Sequence, residues 1–294
     1  MKLMNIADEG AGYKAQLYEL YDNAFPEQEK KPLHVMEQLV DDGKMEMLAM
    51  VDGDEFVGLA INMISGIGES QVAEEIQDLI ESQTNPTIAP YAKTGEVHLR
   101  VTASAENEKA CRKLIKPVVK ELKKRFGENV FATDESKTLE EAVIDLLKEK
   151  DLKLSLAESL TGGMIAQRIV NVSGASEVFG YGFVTYSNKA KHKCLGVKKR
   201  TLKEQGAVSA KCAREMAKGA CKASGADISI SVTGLAGPGG GTKETPVGTV
   251  FMGCCYKGKA IAKEFHFTGN RMRIREQTTA HALAMLRDCI IMSR

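Results

Sequence analysis

The chain predicts an α/β protein: a C-terminal α/β sandwich with a mixed sheet, preceded by a small α+β unit and a short α+β N-terminal unit. Three observations predict it. From about residue 153 onward, short apolar runs alternate with segments of helical periodicity, the pattern of a partly parallel sheet covered by helices. Near the C-terminus two apolar runs, Val247–Tyr256 and Lys259–Phe267, follow one another directly and read as an antiparallel pair. The composition, 43% hydrophobic and 27% charged over 294 residues, is that of a globular chain of two or three domains.

The first unit spans residues 1–63. Tyr13–Phe25 has an amphipathic helical pattern with Leu17, Leu20 and Tyr21 on one face, and His34–Leu39 reads as a second helix. Met45–Val51 and Phe56–Met63 read as strands joined in a hairpin at Asp52-Gly53-Asp54. The second unit, 64–136, opens with a helix at about 70–82 that turns Val72, Ile76, Leu79 and Ile80 inward. Val97–Ala103 alternates as a strand with Val97, Leu99 and Val101 on one face. A helix follows over about 107–126, and Pro117 is expected to kink it. It holds eight Lys or Arg, but Lys109, Arg112, Lys113, Lys116, Lys120 and Lys123 recur at three- and four-residue steps opposite Leu114, Ile115, Val118, Val119 and Leu122. That is the solvated face of an amphipathic helix, so no nucleic-acid partner is expected.

The third unit spans 137–294. A helix over 139–148 leads into a strand near 153–157, a helix near 161–172 and a strand near 178–186. A helix over 209–224, capped by Ser209, precedes a strand over 228–233. The antiparallel pair comes next, then a last helix over about 273–292. Ala157-Glu158-Ser159-Leu160-Thr161-Gly162-Gly163 joins the first of these strands to its helix. A helix N-terminus offers unpaired N–H groups and partial positive charge, so a serine held there would sit beside an oxyanion site.

Downstream stand Gly182 to Lys191 (GFVTYSNKAK), Thr233 to Thr242 (TGLAGPGGGT) and Thr245-Pro246-Val247-Gly248. In this order these segments closely resemble the C-terminal domain of the competence/damage-inducible CinA family, over about residues 137–294. The resemblance implies a nicotinamide-nucleotide amidohydrolase, converting nicotinamide mononucleotide to nicotinate mononucleotide and ammonia. Gly66-Ile67-Gly68-Glu69-Ser70 and Gln83 to Lys93 (QTNPTIAPYAK) resemble the KH-type middle domain of the same family. Full-length members usually carry a molybdopterin-binding-like domain before it; some sixty other residues stand in its place. Their helix–helix–strand–strand order resembles half of a GCN5-type acetyltransferase without the acetyl-CoA half, which reads as a structural appendage.

Hydrolysing an amide near neutral pH needs an activated nucleophile, oxyanion donors and an acid for the departing ammonia. The family's usual cysteine within the turn is Leu160 here, which leaves serine as the nucleophile type. Ser159 and Ser176 both match the family pattern. Ser159 is preferred because the helix start after it would supply oxyanion donors, and Ser176 stays open. Lys191 is the expected general base, its pKa lowered by burial near other positive groups, with Tyr186 as relay or oxyanion donor. Thr161, Gly162, Gly163, Thr233, Gly234, Gly237 and Gly239 are the expected substrate cradle, and Arg271 and Arg275 the expected phosphate partners. Asn270 stands where the family often has Asp.

Five histidines without ligand spacing predict neither metal nor cofactor. Seven cysteines, scattered apart from the adjacent Cys254-Cys255 and without C-x-x-C, read as reduced thiols of a cytoplasmic protein, and no apolar run is long enough to span a membrane. A small nucleotide is the expected partner, in a homo-oligomer. The alternatives are a hydrolase of another small carboxamide or nucleotide and a non-catalytic binding scaffold.

Overall fold

The structure is a computed structural model and describes residues 2–5, 48–51, 56–65, 67, 69–133 and 137–292. The chain divides into two compact units, 1–58 with 104–112, and 59–103 with 113–294. In the first, β1 (Lys2–Asn5) pairs antiparallel with β2 (Leu48–Val51), Leu3 opposite Met50. The helices expected over 13–25 and 34–39, the start of the strand expected from Met45 and the turn at 52–54 lie outside the described residues. The expected hairpin is corrected on its pairing: β2 lies beside β1, whereas β3 (Phe56–Ser65) enters a four-stranded sheet of order β4-β5-β3-β6.

The helix expected over 70–82 is two, α1 (Glu69–Glu75) and α2 (Gln77–Ser82), separated at the buried Ile76. The Gln83–Lys93 signature is largely strand. β4 (Thr87–Lys93) pairs antiparallel with β5 (Glu96–Ala105) from Thr87 opposite Thr102 to Lys93 opposite Glu96, and Gln83 Oε1 accepts from the Ile88 N–H at 2.6 Å. Val97, Leu99 and Val101 are buried, as the alternation requires. α3 (Glu108–Phe126) continues through Pro117, with its lysines at 109, 113, 116, 120 and 123 and Arg112 exposed. β6 (Val130–Ala132) closes this sheet. The tip of the β4–β5 hairpin packs on the last helix so closely that a Cβ at Gly95 would stand 2.6 Å from the Ala280 Cβ.

The remaining elements are α4 (Leu139–Glu149), β7 (Leu154–Glu158), α5 (Met164–Val170), β8 (Phe179–Val184), α6 (Asn188–Leu195), α7 (Lys199–Glu204), α8 (Ala210–Ser224), β9 (Ile228–Gly234), β10 (Thr249–Tyr256), β11 (Lys259–His266) and α9 (Arg271–Ile291). The strands form one mixed sheet of order β11-β10-β9-β7-β8. β7 is parallel to β8 and β9, and β10 is antiparallel to both its neighbours. Period-2 alternation sends Leu154, Leu156, Ile228, Ile230 and Val232 to one face, where they pack with Leu139, Val143, Leu147, Ile165, Ile169, Ile274 and Leu283 of α4, α5 and α9. The other face carries small residues. Ser229 and Ser231 donate to the Ala217 and Ala213 carbonyls of α8 at 2.7 Å each, and Ala157 joins Leu195, Cys212 and Met216. Small side chains let α8 approach the sheet closely, and the Ser229 and Ser231 hydroxyls find acceptors there, whereas the Ser155 hydroxyl on the same face is buried without one.

The Ser209 cap is where the sequence places it, and Thr138 and Asn270 cap two further helices. Thr138 and Glu141 form a capping box on α4, and Ser209 accepts from the Cys212 N–H at 3.2 Å. Asn270 accepts from the Arg273 N–H at 2.9 Å, so α9 starts two residues before its apolar pattern does. α5 starts only at Met164, because Gly162 and Gly163 hold left-handed conformations (φ 62° and 105°).

Candidate active site

β7 and β8 run parallel, so the residues following both emerge at the same end of the sheet. Ser159 follows β7; Thr185 and Tyr186 follow β8 and lead into α6, capped by Ser187, which accepts from the Ala190 N–H at 3.1 Å. One turn into α6 the Lys191 side chain turns back under the sheet end. Its Nζ lies 2.9 Å from Ser159 Oγ and donates to the Thr185 carbonyl at 2.8 Å. Lys191 is 1% exposed and Ser159 8% exposed. Burial pushes the Lys191 pKa below its ordinary value; the neighbouring Cys212 thiol acts weakly in the opposite sense. Burial also pushes Cys212 up to about 11, so near neutral pH it is a neutral thiol that offers Lys191 no counter-charge. The expected cause is thereby corrected: desolvation does this without neighbouring cations.

The amides of the turn are placed differently from expectation. Glu158, 1% exposed, points to the opposite face of β7 from Ser159 and caps α5. One of its carboxylate oxygens accepts from the N–H groups of Gly163 (2.9 Å) and Ile165 (3.2 Å), the other from Ala166 (2.9 Å). The Gly162 N–H is bonded to the Ser159 carbonyl at 3.1 Å and that of Met164 to Thr161 at 3.4 Å. The expectation that this helix start presents open oxyanion donors is therefore corrected, because a buried carboxylate already occupies it. The Glu158 carbonyl also accepts from the Thr185 N–H at 2.8 Å. Main chain and side chains thus close a ring, Glu158–Thr185–Lys191–Ser159, that fixes the Ser–Lys pair from two strands.

The two arginines brace the site from α9. Arg275 donates to the Leu160 and Thr161 carbonyls at 2.9 and 2.8 Å, clamping the turn. Arg271 donates to the Gly237 carbonyl at 2.6 Å and to the Tyr186 hydroxyl at 3.0 Å, tying the Gly-rich loop to the segment after β8. Because Tyr186 accepts there, its own hydroxyl proton is left to donate elsewhere. The Thr161 and Thr185 hydroxyls are buried without a partner. Thr233 is spent on the Ala207 carbonyl at 2.8 Å, on the α8 side; Gly234 belongs to β9, Gly237 is buried against Val247, and Gly239 is exposed with open space beside it.

Ser176 is not with the others. It is exposed in a single 3-10 turn (Ala175–Glu177) that precedes β8, whereas Tyr186 and Lys191 follow it. Six strand residues, about 20 Å at the usual rise, separate the two ends. Glu158 and Thr185 are the members of the site that sequence reasoning missed. For Glu158 a signal existed, an acid immediately before a turn that opens a helix; Thr185 contributes only main chain and leaves no signal. A cavity of about 550 Å³ bordered by Lys93, Gly95, Lys263, Arg273, Gln277 and His281 lies elsewhere, and its lining includes neither Ser159 nor Lys191. Among the described residues no group of three His, Cys, Asp or Glu is placed to hold a metal, and no helix is long and apolar enough to cross a membrane.

The model of the CinA C-terminal domain matches residues 136–290, more than half of the chain, and that of the damage-inducible protein CinA KH domain matches residues 62–132. The chain belongs to the CinA family. A Clostridium novyi CinA relative, named a competence-damage inducible protein, is 51% identical over 228 residues, 78% of this chain and 55% of its own length. A CinA-like protein of Dictyoglomus turgidum is 49% identical over 224 residues, 76% of this chain and 54% of its own. The chain thus spans about half the length of these curated CinA relatives. Among solved structures, a CinA superfamily protein from Klebsiella pneumoniae 700603 has a TM-score of 0.51 and 34% identity, covering 52% of this chain and 96% of that one. The competence damage-inducible protein A from Klebsiella pneumoniae MGH 78578 has a TM-score of 0.51 and 32% identity, covering 54% and 100%.

Proposed function

We propose that this protein is an amidohydrolase that removes the carboxamide nitrogen of nicotinamide mononucleotide as ammonia, using Ser159 as nucleophile and Lys191 as base. The observation that carries the reading is the buried 2.9 Å contact between Lys191 Nζ and Ser159 Oγ. Desolvation lowers the Lys191 pKa and so favours the neutral form, which can take a proton from a serine at that distance. The family resemblance supplies the substrate, and the surroundings suit it: Arg271, exposed at the start of α9, and the Gly-rich loop beside it offer cationic and main-chain donors to a phosphate.

In this mechanism Lys191 accepts the Ser159 proton as Oγ attacks the carboxamide carbon. The proton passes to the departing nitrogen, which leaves as ammonia and gives an acyl-serine. Water, deprotonated by Lys191, releases the nicotinate product and restores Ser159. With the start of α5 occupied by Glu158, the Tyr186 hydroxyl is the oxyanion donor in this scheme. In this reading the chain has three parts, 1–63, 64–136 and 137–294, and the chemistry belongs to the third. The test is release of ammonia from nicotinamide mononucleotide by the full chain, before and after dialysis against chelator. Unchanged release supports the serine–lysine reading, and loss restored by zinc overturns it. No release from this substrate, with release from another small carboxamide, would move the substrate and keep the chemistry.

A further inference from the structure

Four of the seven cysteines stand in two pairs, one on each face of the five-stranded sheet. Cys254 and Cys255 are neighbours on β10, so their side chains leave the strand on opposite sides. Cys254 enters the core beneath α9, where its thiol is hydrogen-bonded to that of Cys289. Cys255 faces α8, beside its cross-strand neighbour Ser229. Ala213, Ala217 and Cys221 recur at four-residue steps along α8, and each meets the sheet in turn. The first two accept from Ser231 and Ser229 at 2.7 Å each, and the Cys221 thiol donates to the Cys255 carbonyl at 3.7 Å. The Cys221 and Cys255 thiols are also hydrogen-bonded to each other. Main chains come close on this face: a Cβ at Gly253 would stand 2.5 Å from the Ala213 carbonyl oxygen. That approach suits a disulfide, which needs Cα atoms within about 7 Å. Under α9 the large side chains of Met252, Leu283 and Leu286 fill the gap instead.

A cysteine in a core packs as a small hydrophobe, and nothing in that role calls for a second thiol across from it. We propose that Cys221 and Cys255 form an oxidisable pair that hydrogen peroxide converts to a disulfide, stapling the C-terminal half of α8 to β10. Exposure divides the work between them. Cys221 is half-buried and open to a small oxidant, whereas Cys255 is buried. The hydrogen bond from Cys221 is the largest cause that brings the Cys255 pKa down to about 7, against desolvation, and the Gly258 main chain and the exposed Lys218 ammonium act in the same sense. The pair therefore gives up one proton near neutral pH, and the hydrogen bond lets the charge pass between the two sulfurs. Cys221 attacks one peroxide oxygen as the thiolate; the O–O bond breaks, hydroxide leaves to become water, and a sulfenic acid remains. Cys255 then attacks that sulfur: the S–S bond forms, the S–O bond breaks and its oxygen leaves as a second water. Two thiols and one peroxide become one disulfide and two waters, the sulfurs losing the two electrons that peroxide gains. A dithiol reductant reverses the bond by exchange at the half-buried Cys221 sulfur.

The test uses the full chain and does not depend on the proposed amidohydrolase reading. It is made on a Cys194→Ala chain, because that exposed thiol would otherwise link chains to one another. Mild peroxide treatment should remove two free thiols per chain, and mass spectrometry of unreduced peptides should find the Cys221 peptide joined to the one that holds Cys254 and Cys255. Closing a loop of this length should raise the Tm by about 5–15 °C, and dithiothreitol should return it. Cys254→Ser should keep both the link and the rise, since Cys255 makes the bond, whereas Cys221→Ser should lose both. A link from Cys254 to Cys289 in place of this one, an unlinked sulfinic acid at Cys221, or thiols that survive peroxide unchanged overturns the pair. A link without a rise in Tm overturns the staple. If Cys221→Ser does not fold, the peptide map of the Cys194→Ala chain and its Cys254→Ser variant decides by itself.

Discussion

Replacing Glu158 by glutamine tests the mooring of the nucleophile most directly. The carboxylate is 1% exposed and accepts three main-chain N–H bonds at 2.9, 3.2 and 2.9 Å, two on one oxygen and one on the other. Glutamine keeps the volume but converts one oxygen into a donor. If the remaining oxygen stays with Gly163 and Ile165, the Ala166 N–H faces an amide NH₂ and is orphaned. An orphaned buried donor costs about 1–3 kcal/mol, and the lost charge at the start of α5 about 0.3–2 kcal/mol, so about 2–4 kcal/mol in all. A domain of this size loses about 2–4 °C per kcal/mol, which predicts a Tm lower by about 5–15 °C. Glu158→Ala orphans all three donors and should be worse. The assay is thermal unfolding at neutral pH followed by circular dichroism, with kcat measured well below the variant's Tm. kcat should fall too, because the displaced turn carries Ser159. A Glu158→Gln protein that unfolds within about 1 °C of wild type would show that the carboxylate does not hold the turn.

The other predictions concern the pair and its supports. Ser159→Ala and Lys191→Ala should each lower kcat by at least about a thousandfold and the double variant by little more, since the two act as one unit; Tyr186→Phe should cost about ten- to a thousandfold, and additive losses for the pair would refute the coupling. Burial lowers the Lys191 pKa in the fold below its unfolded value, so between the two the unfolded state holds more of the proton and stability should rise as pH climbs toward the ordinary lysine value of 10.5. Lys191→Met removes that slope, so any Tm advantage it has near neutral pH should shrink as pH rises; parallel pH profiles would refute the depressed pKa. Gly219→Ala, ordinarily stabilising by about 1 kcal/mol in a helix, should instead destabilise and lower kcat, because its Cβ would stand 1.9 Å from the Leu195 carbonyl oxygen at the end of the Lys191 helix. A fragment of residues 137–294 should fold, since it contains the whole five-stranded sheet with the helices packed on both its faces, and should keep ammonia release; a folded, inactive fragment would show that upstream residues complete the site.

What the sequence made legible follows from periodicity and caps. β7, β9, α4 and α8 show apolar repeats of two or of three to four, and Ser209 caps the start of α8, so their limits could be placed within a few residues. α7 has no such repeat: of its six residues, Thr201 is the buried one, and its side chain is held by Glu215 of α8 at 2.9 Å. Such a helix exists because its neighbour holds it. β4 was obscured because Pro90 stands within it, a residue that argues against a strand until its edge position is known. The pairing of β2 with β1 was out of reach for a different reason, since the partners lie more than forty residues apart and β1 is four residues long.

The site divides along the same line. Ser159, Lys191 and Tyr186 were legible as residue types at a spacing, but how they are supported was not, because the support is mostly main chain. The Thr185 carbonyl holds the lysine, the Leu160 and Thr161 carbonyls are held by Arg275, and no side chain at those positions announces it. The period of a strand explains why Glu158 and Ser159 stand side by side. Glu158 ends β7 and Ser159 follows it directly, so a single dipeptide serves two layers: the glutamate enters the layer of α5 and anchors the turn, and the serine enters the layer of α6 and meets the lysine. Moving either by one position would exchange their faces, setting the carboxylate beside Lys191. A carboxylate there would pair with the lysine and favour its charged form, raising the pKa that burial lowers and removing the base. The order acid-then-serine is therefore required by the chemistry as well as by the fold.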